Sequence, residues 1–173
     1  VVVAYPRIWA SAAMHSGIPW KVAEDLTAAL GVMQRGSRNV DGLGERAGGT
    51  IGRGSPPIPV LVMHGRSAAV VHPLNGAQTA RLWTVLNARL WAGFRPEGRL
   101  VTTETSGVTG GYRWTRSVYG SERASLVEEL VVTELGHAWS GGSSQGSYAD
   151  ERGPDATAEM VRFFHAHPRP PAR

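Results

Sequence analysis

Apolar residues are grouped along this chain in two ways, as short continuous runs and as longer segments with helical spacing. Continuous runs at 8–14 (IWASAAM) and 58–63 (IPVLVM) indicate buried strands, and proline and glycine bound the second run. Alternation over 112–119 and the apolar run at 126–133 (LVEELVVT) predict two further strands. These four segments are expected to supply one sheet.

Three other segments carry apolar residues at helical spacing: 21–34, 74–92 and the residues that follow Pro154. Gly36 is a stop signal for the first helix, and a proline at a first helical position opens the third. The apolar positions of the first helix are Val22, Leu26, Leu30 and Met33. In the second helix, one face carries Leu82, Trp83, Leu86 and Leu90. In the third helix, we expect three side chains to pack inward: Met160, Phe163 and Phe164.

Two segments rich in glycine interrupt this pattern. Residues 36–57 are predicted to form a long loop, and residues 98–111 are expected to hold a short strand at most. The alternating order of strands and helices favours an α/β fold with a mostly parallel sheet flanked by helices. We expect one domain over residues 1–167 and a disordered tail over 168–173 (PRPPAR).

The composition is that of a globular protein and excludes several function classes. Of the 173 residues, 42% are hydrophobic and 18% are charged, which suits one domain with its own core. The net charge of +4 comes without a basic run interleaved with aromatic residues, which argues against nucleic-acid binding. The absence of cysteine excludes disulfides, thiolate zinc sites and a cysteine nucleophile. No apolar stretch reaches the roughly 20 residues that span a bilayer.

Segment 136–142 (GHAWSGG) is the first candidate for chemistry, because it places His137 just after a predicted strand. A histidine in a loop that small residues leave open can reach a neighbouring nucleophile. This is the position of the general base in an α/β-hydrolase, where the histidine comes last in chain order. The alternative is a histidine that only makes hydrogen bonds within its loop, and the spacing alone leaves both interpretations open.

The second candidate stretch runs from the buried strand at 60–63 through His64-Gly65 to segment 70–76 (VVHPLNG). A buried strand that ends in His-Gly can place the third member of a catalytic triad in the turn that follows. His64 by itself is more typical of a hydrogen-bonding residue at a strand end, and His72 is most simply a loop residue.

Taken together, these stretches resemble the polyhydroxybutyrate depolymerase and feruloyl-esterase-like family of serine esterases. Three segments carry the resemblance: 4–19, 59–76, which is similar to the family pattern HGxxDxxVxPxNG, and 112–164, which includes GHAWSGG. The resemblance implies the C-terminal part of an α/β-hydrolase fold, present here incompletely. It also implies a secreted enzyme that acts on an ester or polyester, with no cofactor or metal.

The family mechanism is ester hydrolysis by a serine, a histidine and a carboxylate. The serine attacks the ester carbonyl, the histidine takes the proton of the serine, and the carboxylate orients the histidine. Carried over by position, the base is His137, and Trp139 lies beside the site as a wall of the acyl pocket.

The first departure from the family pattern is the catalytic carboxylate, whose position is occupied by Ala68. Loss of that acid costs on the order of 10⁴ in kcat in a related triad. Arg66 makes the loss worse if it lies near the base, because a cation disfavours the protonated imidazole. Asp41, Asp150 and Asp155 are possible substitutes, although Asp155 fits better at the N-terminus of the last helix.

The second departure is the serine, because the family's G-x-S-x-G elbow is expected to precede 4–6 (AYP). The chain begins at Val1 without methionine, so we expect the natural N-terminus, any targeting signal and the nucleophile-bearing half of the domain to be missing. Segment 142–146 (GSSQG) matches G-x-S-x-G literally. It lacks the strand–turn–helix context, so Ser144 is not expected to be the nucleophile.

Two hypotheses follow from these residues. The chain is either part of a secreted serine esterase that is inactive by itself, or a non-catalytic remnant or binding module that keeps the fold. An in-frame G-x-S-x-G upstream of Val1 would discriminate between them. Neither 165–167 (HAH), which has no third ligand beside it, nor 107–111 (GVTGG), which does not link a strand to a helix, predicts a metal or phosphate site.

Overall fold

The structure is a computed structural model that describes residues 1–38, 40–52, 54–94, 99–121 and 124–169. Its helices are α1 (Leu26–Arg35), α2 (Asp41–Ile51), α3 (Leu74–Phe94) and α4 (Ala156–Ala166). The strands of the main sheet are β1 (Ala12–His15), β2 (Val60–Gly65), β3 (Val101–Thr109), β4 (Tyr112–Ser121) and β5 (Ala124–Val132). Two short strands, β6 (Trp139–Ser140) and β7 (Ala149–Asp150), pair with each other in parallel.

The main sheet has the order β1-β2-β5-β4-β3, and it is mixed rather than mostly parallel as predicted. Strands β1, β2 and β5 pair in parallel, whereas β4 and β3 pair antiparallel to their neighbours. The turn Gly110-Gly111 explains the difference, because both residues have positive φ, 55° and 82°, which suits a tight hairpin. A tight hairpin returns the chain antiparallel, whereas a parallel crossover needs a long connection.

Helices cover both faces of the parallel part of the sheet. On one face, Val60, Val62 and Val127 pack against Leu82 and Leu86 of α3. On the other face, Leu61, Met63 and Leu130 pack against Phe163 of α4. This alternation explains why the six residues of β2 are all buried.

The predicted loop at 36–57 is wrong, because it contains helix α2. Glycine has a low intrinsic helix propensity, but in this segment the packing of α2 against α3 overrides that propensity. A methyl group built on Gly44 would lie 2.7 Å from the Cβ of Val85, and one on Gly48 would lie 2.6 Å from the Cδ of Arg89. The two glycines therefore let α2 approach α3 closely, with Leu43 and Ala47 buried between them.

Three further predictions are wrong in detail. Helix α1 begins at Leu26, with Asp25 as its N-cap, and Leu26 is 76% exposed. The final helix begins at Ala156 rather than at Pro154, and Phe164 is 42% exposed while Phe163 is buried. Segment 98–111 contains the nine-residue strand β3, whose side chains are mostly exposed and therefore lack an apolar pattern.

Both ends of the described chain lie side by side. The guanidinium of Arg169 donates a hydrogen bond to the carbonyl oxygen of Arg7 at 2.6 Å. Residues 170–173 of the predicted tail lie outside the described residues. Within the described ranges, no helix combines the length and the apolar character that a membrane crossing requires.

Candidate active site

The carboxyl ends of β1, β2 and β5 meet at one edge of the sheet. In the parallel register, His15 lies beside Met63, and His64 lies beside Val131. Open α/β sheets bind their ligands outside this edge. The topology therefore brings the carboxyl end of β2, with His64, next to that of β5, which leads to His137.

The loop after β5 carries His137. The turn after β2 makes hydrogen bonds to the start of this loop. The backbone N–H of Ser67 donates to the carbonyl of Leu135 at 3.0 Å, and the Ser67 hydroxyl donates to the carbonyl of Thr133 at 3.0 Å. The turn at 65–68 therefore lies against the segment that leads directly to His137.

Gly65 is the residue that allows this close approach. A methyl group at this position would collide with the carbonyl oxygens of Leu135 and Gly136. Because both obstacles are backbone atoms, no side chain could rotate away to relieve the clash. The path of the chain into His137 thus depends on a glycine at the end of β2.

His137 is half-buried, and its ring contacts Tyr148 edge-to-face with 6.1 Å between centroids. Its Nδ1 atom is buried and has no hydrogen-bond partner among the described residues. A buried nitrogen without a partner costs desolvation free energy, about 1–3 kcal/mol. In a serine-hydrolase triad, the same nitrogen donates to the catalytic carboxylate.

Ala68 is 5% exposed, and its N–H closes a turn onto the carbonyl of Gly65 at 3.2 Å. Its methyl group cannot accept a hydrogen bond. The turn at 65–68 therefore lies next to the histidine loop without supplying a carboxylate.

Two of the three aspartates that could replace the missing acid make other hydrogen bonds. Asp150 accepts hydrogen bonds from Arg152 and Tyr112, and those bonds hold its pKa at about 2. Asp155 caps α4 by accepting from the N–H of Ala158 at 3.0 Å, as the sequence suggested. The side chain of Asp41 lies outside the described part of the structure.

Trp139 joins the ends of β1 and α4. Its ring stacks on His15 with 4.9 Å between centroids and 19° between planes. Its Nε1–H donates to the hydroxyl of Thr157 at 3.1 Å. Two fixed contacts therefore orient this indole beside the His137 loop.

His15 and Ser16 are site residues that sequence reasoning missed. Ser16 has a φ of 53°, a conformation that serine rarely adopts, and its hydroxyl lies 3.1 Å from Nδ1 of His15. Strained backbone is concentrated at functional sites. The available signal was the pair His15-Ser16 before Gly17, at the end of a predicted strand.

Two histidines at this edge, His15 and His64, have pKa values below the ordinary value. Burial, with the nearby His64 and His137, lowers the pKa of His15 from 6.5 to about 4. Burial also lowers the pKa of His64, against the hydrogen bond between its Nε2 and the carbonyl of Val71 at 2.9 Å. No group of described His, Asp or Glu side chains is arranged to hold a metal ion.

Two other sequence candidates, Ser144 and Arg66, are exposed. Ser144 lies in the exposed turn between β6 and β7, without the strand–turn–helix setting of a nucleophile. Arg66 is exposed, and its charge acts on Glu129, where it opposes the rise in pKa that burial causes.

Comparisons with known proteins point to one family. A family model described as esterase PHB depolymerase matches residues 1–100, which include β1, β2 and the turn with Ala68. Poly(3-hydroxyalkanoate) depolymerase C of Paucimonas lemoignei is 30% identical over 136 residues, or 77% of this chain. The match spans 30% of the length of that protein.

Proposed function

This chain belongs to the esterase PHB depolymerase family, and we propose that it contributes the general base His137 and the pocket wall Trp139 to a site that hydrolyses carboxylic esters or polyesters. The mechanism is that of a serine, a histidine and an acid. His137 takes the proton from the attacking serine and later returns it to the leaving alcohol. An extracellular location belongs to the same proposal, since it rests on the family alone.

One observation carries this proposal. His137 lies in a glycine-bounded loop beyond the carboxyl end of β5, and its Nδ1 is buried without a described partner. A loop histidine with a purely structural role would be expected to use both ring nitrogens, because buried polar atoms are nearly always paired. An unpaired Nδ1 is also what remains when a base has lost the acid that orients it. Because Nδ1 of His64 is unpaired as well, the position of His137 in the open loop after β5 assigns the role to His137.

The chain by itself is proposed to be inactive. Ala68 supplies no acid, and Ser144 is not in the setting that a nucleophile requires. The nucleophile would come from sequence upstream of Val1 or from a separate polypeptide with the other part of the domain. A non-catalytic module that keeps the fold is the second candidate function, and Ala68 is the observation that favours it.

Hydrolysis of short p-nitrophenyl esters tests the proposal. The isolated chain and its His137→Ala variant should both hydrolyse them at the background rate, and turnover that His137→Ala abolishes would contradict the proposed inactivity. The chain should also be expressed together with the coding sequence that precedes Val1. If that sequence adds a strand followed by G-x-S-x-G, we expect turnover that His137→Ala abolishes.

The controls separate the base from the fold. His165→Ala changes an exposed histidine on α4 and should leave turnover unchanged.

Ala68→Asp should raise kcat by up to on the order of 10⁴. Turnover that survives His137→Ala would disprove the role of His137, and stop codons upstream of Val1 would favour the non-catalytic module.

A further inference from the structure

A cavity of about 640 Å³ opens at the edge of the sheet opposite His137. Its walls come from the residues that lead into β1 (6–10), those that lead into β2 (54–59) and those that follow α4 (166–169). Small-molecule sites in proteins measure about 300 to 1,000 Å³. The cavity is therefore of ligand size, and it is separate from the proposed ester site.

Rigid apolar side chains form most of this cavity. The indoles of Trp9 and Trp91 line it together with Pro56, Pro57 and the buried Leu126. Aromatic and proline rings lose little conformational entropy when they contact a ligand, so such walls favour binding of an apolar group. A short aliphatic chain fits this lining.

The charge of the cavity is positive. Arg7 and Arg169 line it, and no aspartate or glutamate is among the described lining residues. The hydrogen bond from Arg169 to the carbonyl of Arg7 joins the two segments beside the cavity. A guanidinium carries five donors, so Arg169 keeps others for a ligand, and its planar fork matches a carboxylate.

We propose that this cavity binds a short aliphatic monocarboxylate. The alkyl chain lies between Trp9 and Trp91, and the carboxylate pairs with Arg7 and Arg169. Both a hydroxyalkanoate, such as the product of polyester hydrolysis, and an ordinary fatty acid have this chemistry. The proposal does not depend on the activity of His137, which lies at the other edge of the sheet.

The six tryptophan indole N–H signals in an NMR spectrum test this site directly. Hexanoate should shift the signals of Trp9 and Trp91 saturably and leave that of Trp139, at the ester site, in place. Trp9→Phe and Trp91→Phe assign the two signals. Hexanamide, which has the same chain without the charge, should bind at least tenfold more weakly. Tighter binding of 3-hydroxyhexanoate than of hexanoate would identify a hydroxyalkanoate, and the reverse order an ordinary fatty acid.

The double variant Arg7→Gln/Arg169→Gln should weaken hexanoate binding at least tenfold. Arg38→Gln removes an exposed arginine that does not line the cavity, and it should leave binding unchanged. Equal affinity for hexanoate and hexanamide would overturn the proposal. So would unchanged binding by the double variant, or shifts at Trp139 without shifts at Trp9 and Trp91.

Discussion

Two clusters of polar side chains in this protein differ in how many of their buried atoms have a hydrogen-bond or ion-pair partner. In the first, β5 presents Glu128, which is only 5% exposed, to helix α4. One carboxylate oxygen accepts from the hydroxyl of Ser125 at 2.9 Å, and the other pairs with Arg162 at 2.5 Å and Arg116 at 3.7 Å. Both oxygens of this buried carboxylate are therefore satisfied, and Nε of Arg116 is the one buried side-chain atom of the cluster without a described partner.

The second cluster lies at the carboxyl ends of β1, β2 and β5. His15, His64 and His137 each have one buried ring nitrogen without a described partner. The first cluster joins helix α4 to the sheet through the ion pair of Arg162 with Glu128. A buried charge in such a contact needs a partner, because an uncompensated buried charge is strongly destabilising. Unpaired buried nitrogens cost stability, so they indicate a site that is arranged for chemistry or has lost a partner.

The largest expected effect comes from breaking the paired cluster. Glu128→Gln removes the charge that faces Arg162 and Arg116. Disruption of a fully buried pair costs about 3–5 kcal/mol, and that value is an upper bound for this pair because Arg162 is 41% exposed. Glu45→Gln is the matched control, because Glu45 pairs with Arg89 at the exposed surface. An exposed pair contributes about 0–1 kcal/mol. Urea unfolding measures both variants, and equal losses would show that burial of Glu128 does not matter.

The unpaired cluster predicts a loss of stability in acid. The folded pKa of His15, about 4, lies below the ordinary value of 6.5, so protonation favours the unfolded chain. The contribution of His15 is complete above pH 6.5 and is lost as the pH falls to 4. The shift corresponds to about 3 kcal/mol over that window.

His15→Gln keeps a polar side chain next to Ser16 but does not titrate, so its unfolding free energy should depend less on pH between 6.5 and 4. His64 contributes to the same acid loss, so some dependence should remain. His165→Gln changes an exposed histidine on α4 and serves as the control. Parallel pH profiles for His15→Gln and the unmodified chain would contradict the burial of His15.

A smaller effect is expected from Gly65→Ala, which forces a methyl group against two backbone carbonyls before His137. Overpacking of this kind costs about 1–3 kcal/mol. Gly17→Ala is the control, because a methyl group there meets no atom within 4 Å. Equal unfolding free energies for the two variants would mean that the histidine loop does not cross β2 closely.

The sequence predicted strands β2, β4 and β5 and helix α3 well, but it predicted β1 over 8–14 where the strand covers Ala12–His15. Helix α2 and strand β3 were predicted poorly. Strand β2 was predictable because its continuous apolar run has one simple interpretation. Helix α2 was hidden because its glycines serve contact with α3, which local propensity does not record. Strand β3 was hidden because its exposed side chains leave no periodic pattern.

The candidate site was predictable only in part. The segment GHAWSGG indicated His137 and Trp139 as site residues. The family pattern HGxxDxxVxPxNG indicated that Ala68 occupies the position of the acid. The stack of His15 on Trp139 joins residues that are far apart in sequence, so no local pattern could reveal it. The strained backbone of Ser16 was equally invisible, because φ follows from the fold around it.

We propose that Nδ1 of His137, which is buried without a described partner, faces position 68, where the family pattern has its catalytic acid. NMR of the imidazole ring tests this in Ala68→Asp, with Ala69→Asp, at the exposed neighbouring position, as the control. We predict that Ala68→Asp creates a slowly exchanging, low-field Nδ1 proton on His137, which the control and the unmodified chain both lack. A folded Ala68→Asp variant without that proton, or the same proton in Ala69→Asp, would contradict the account.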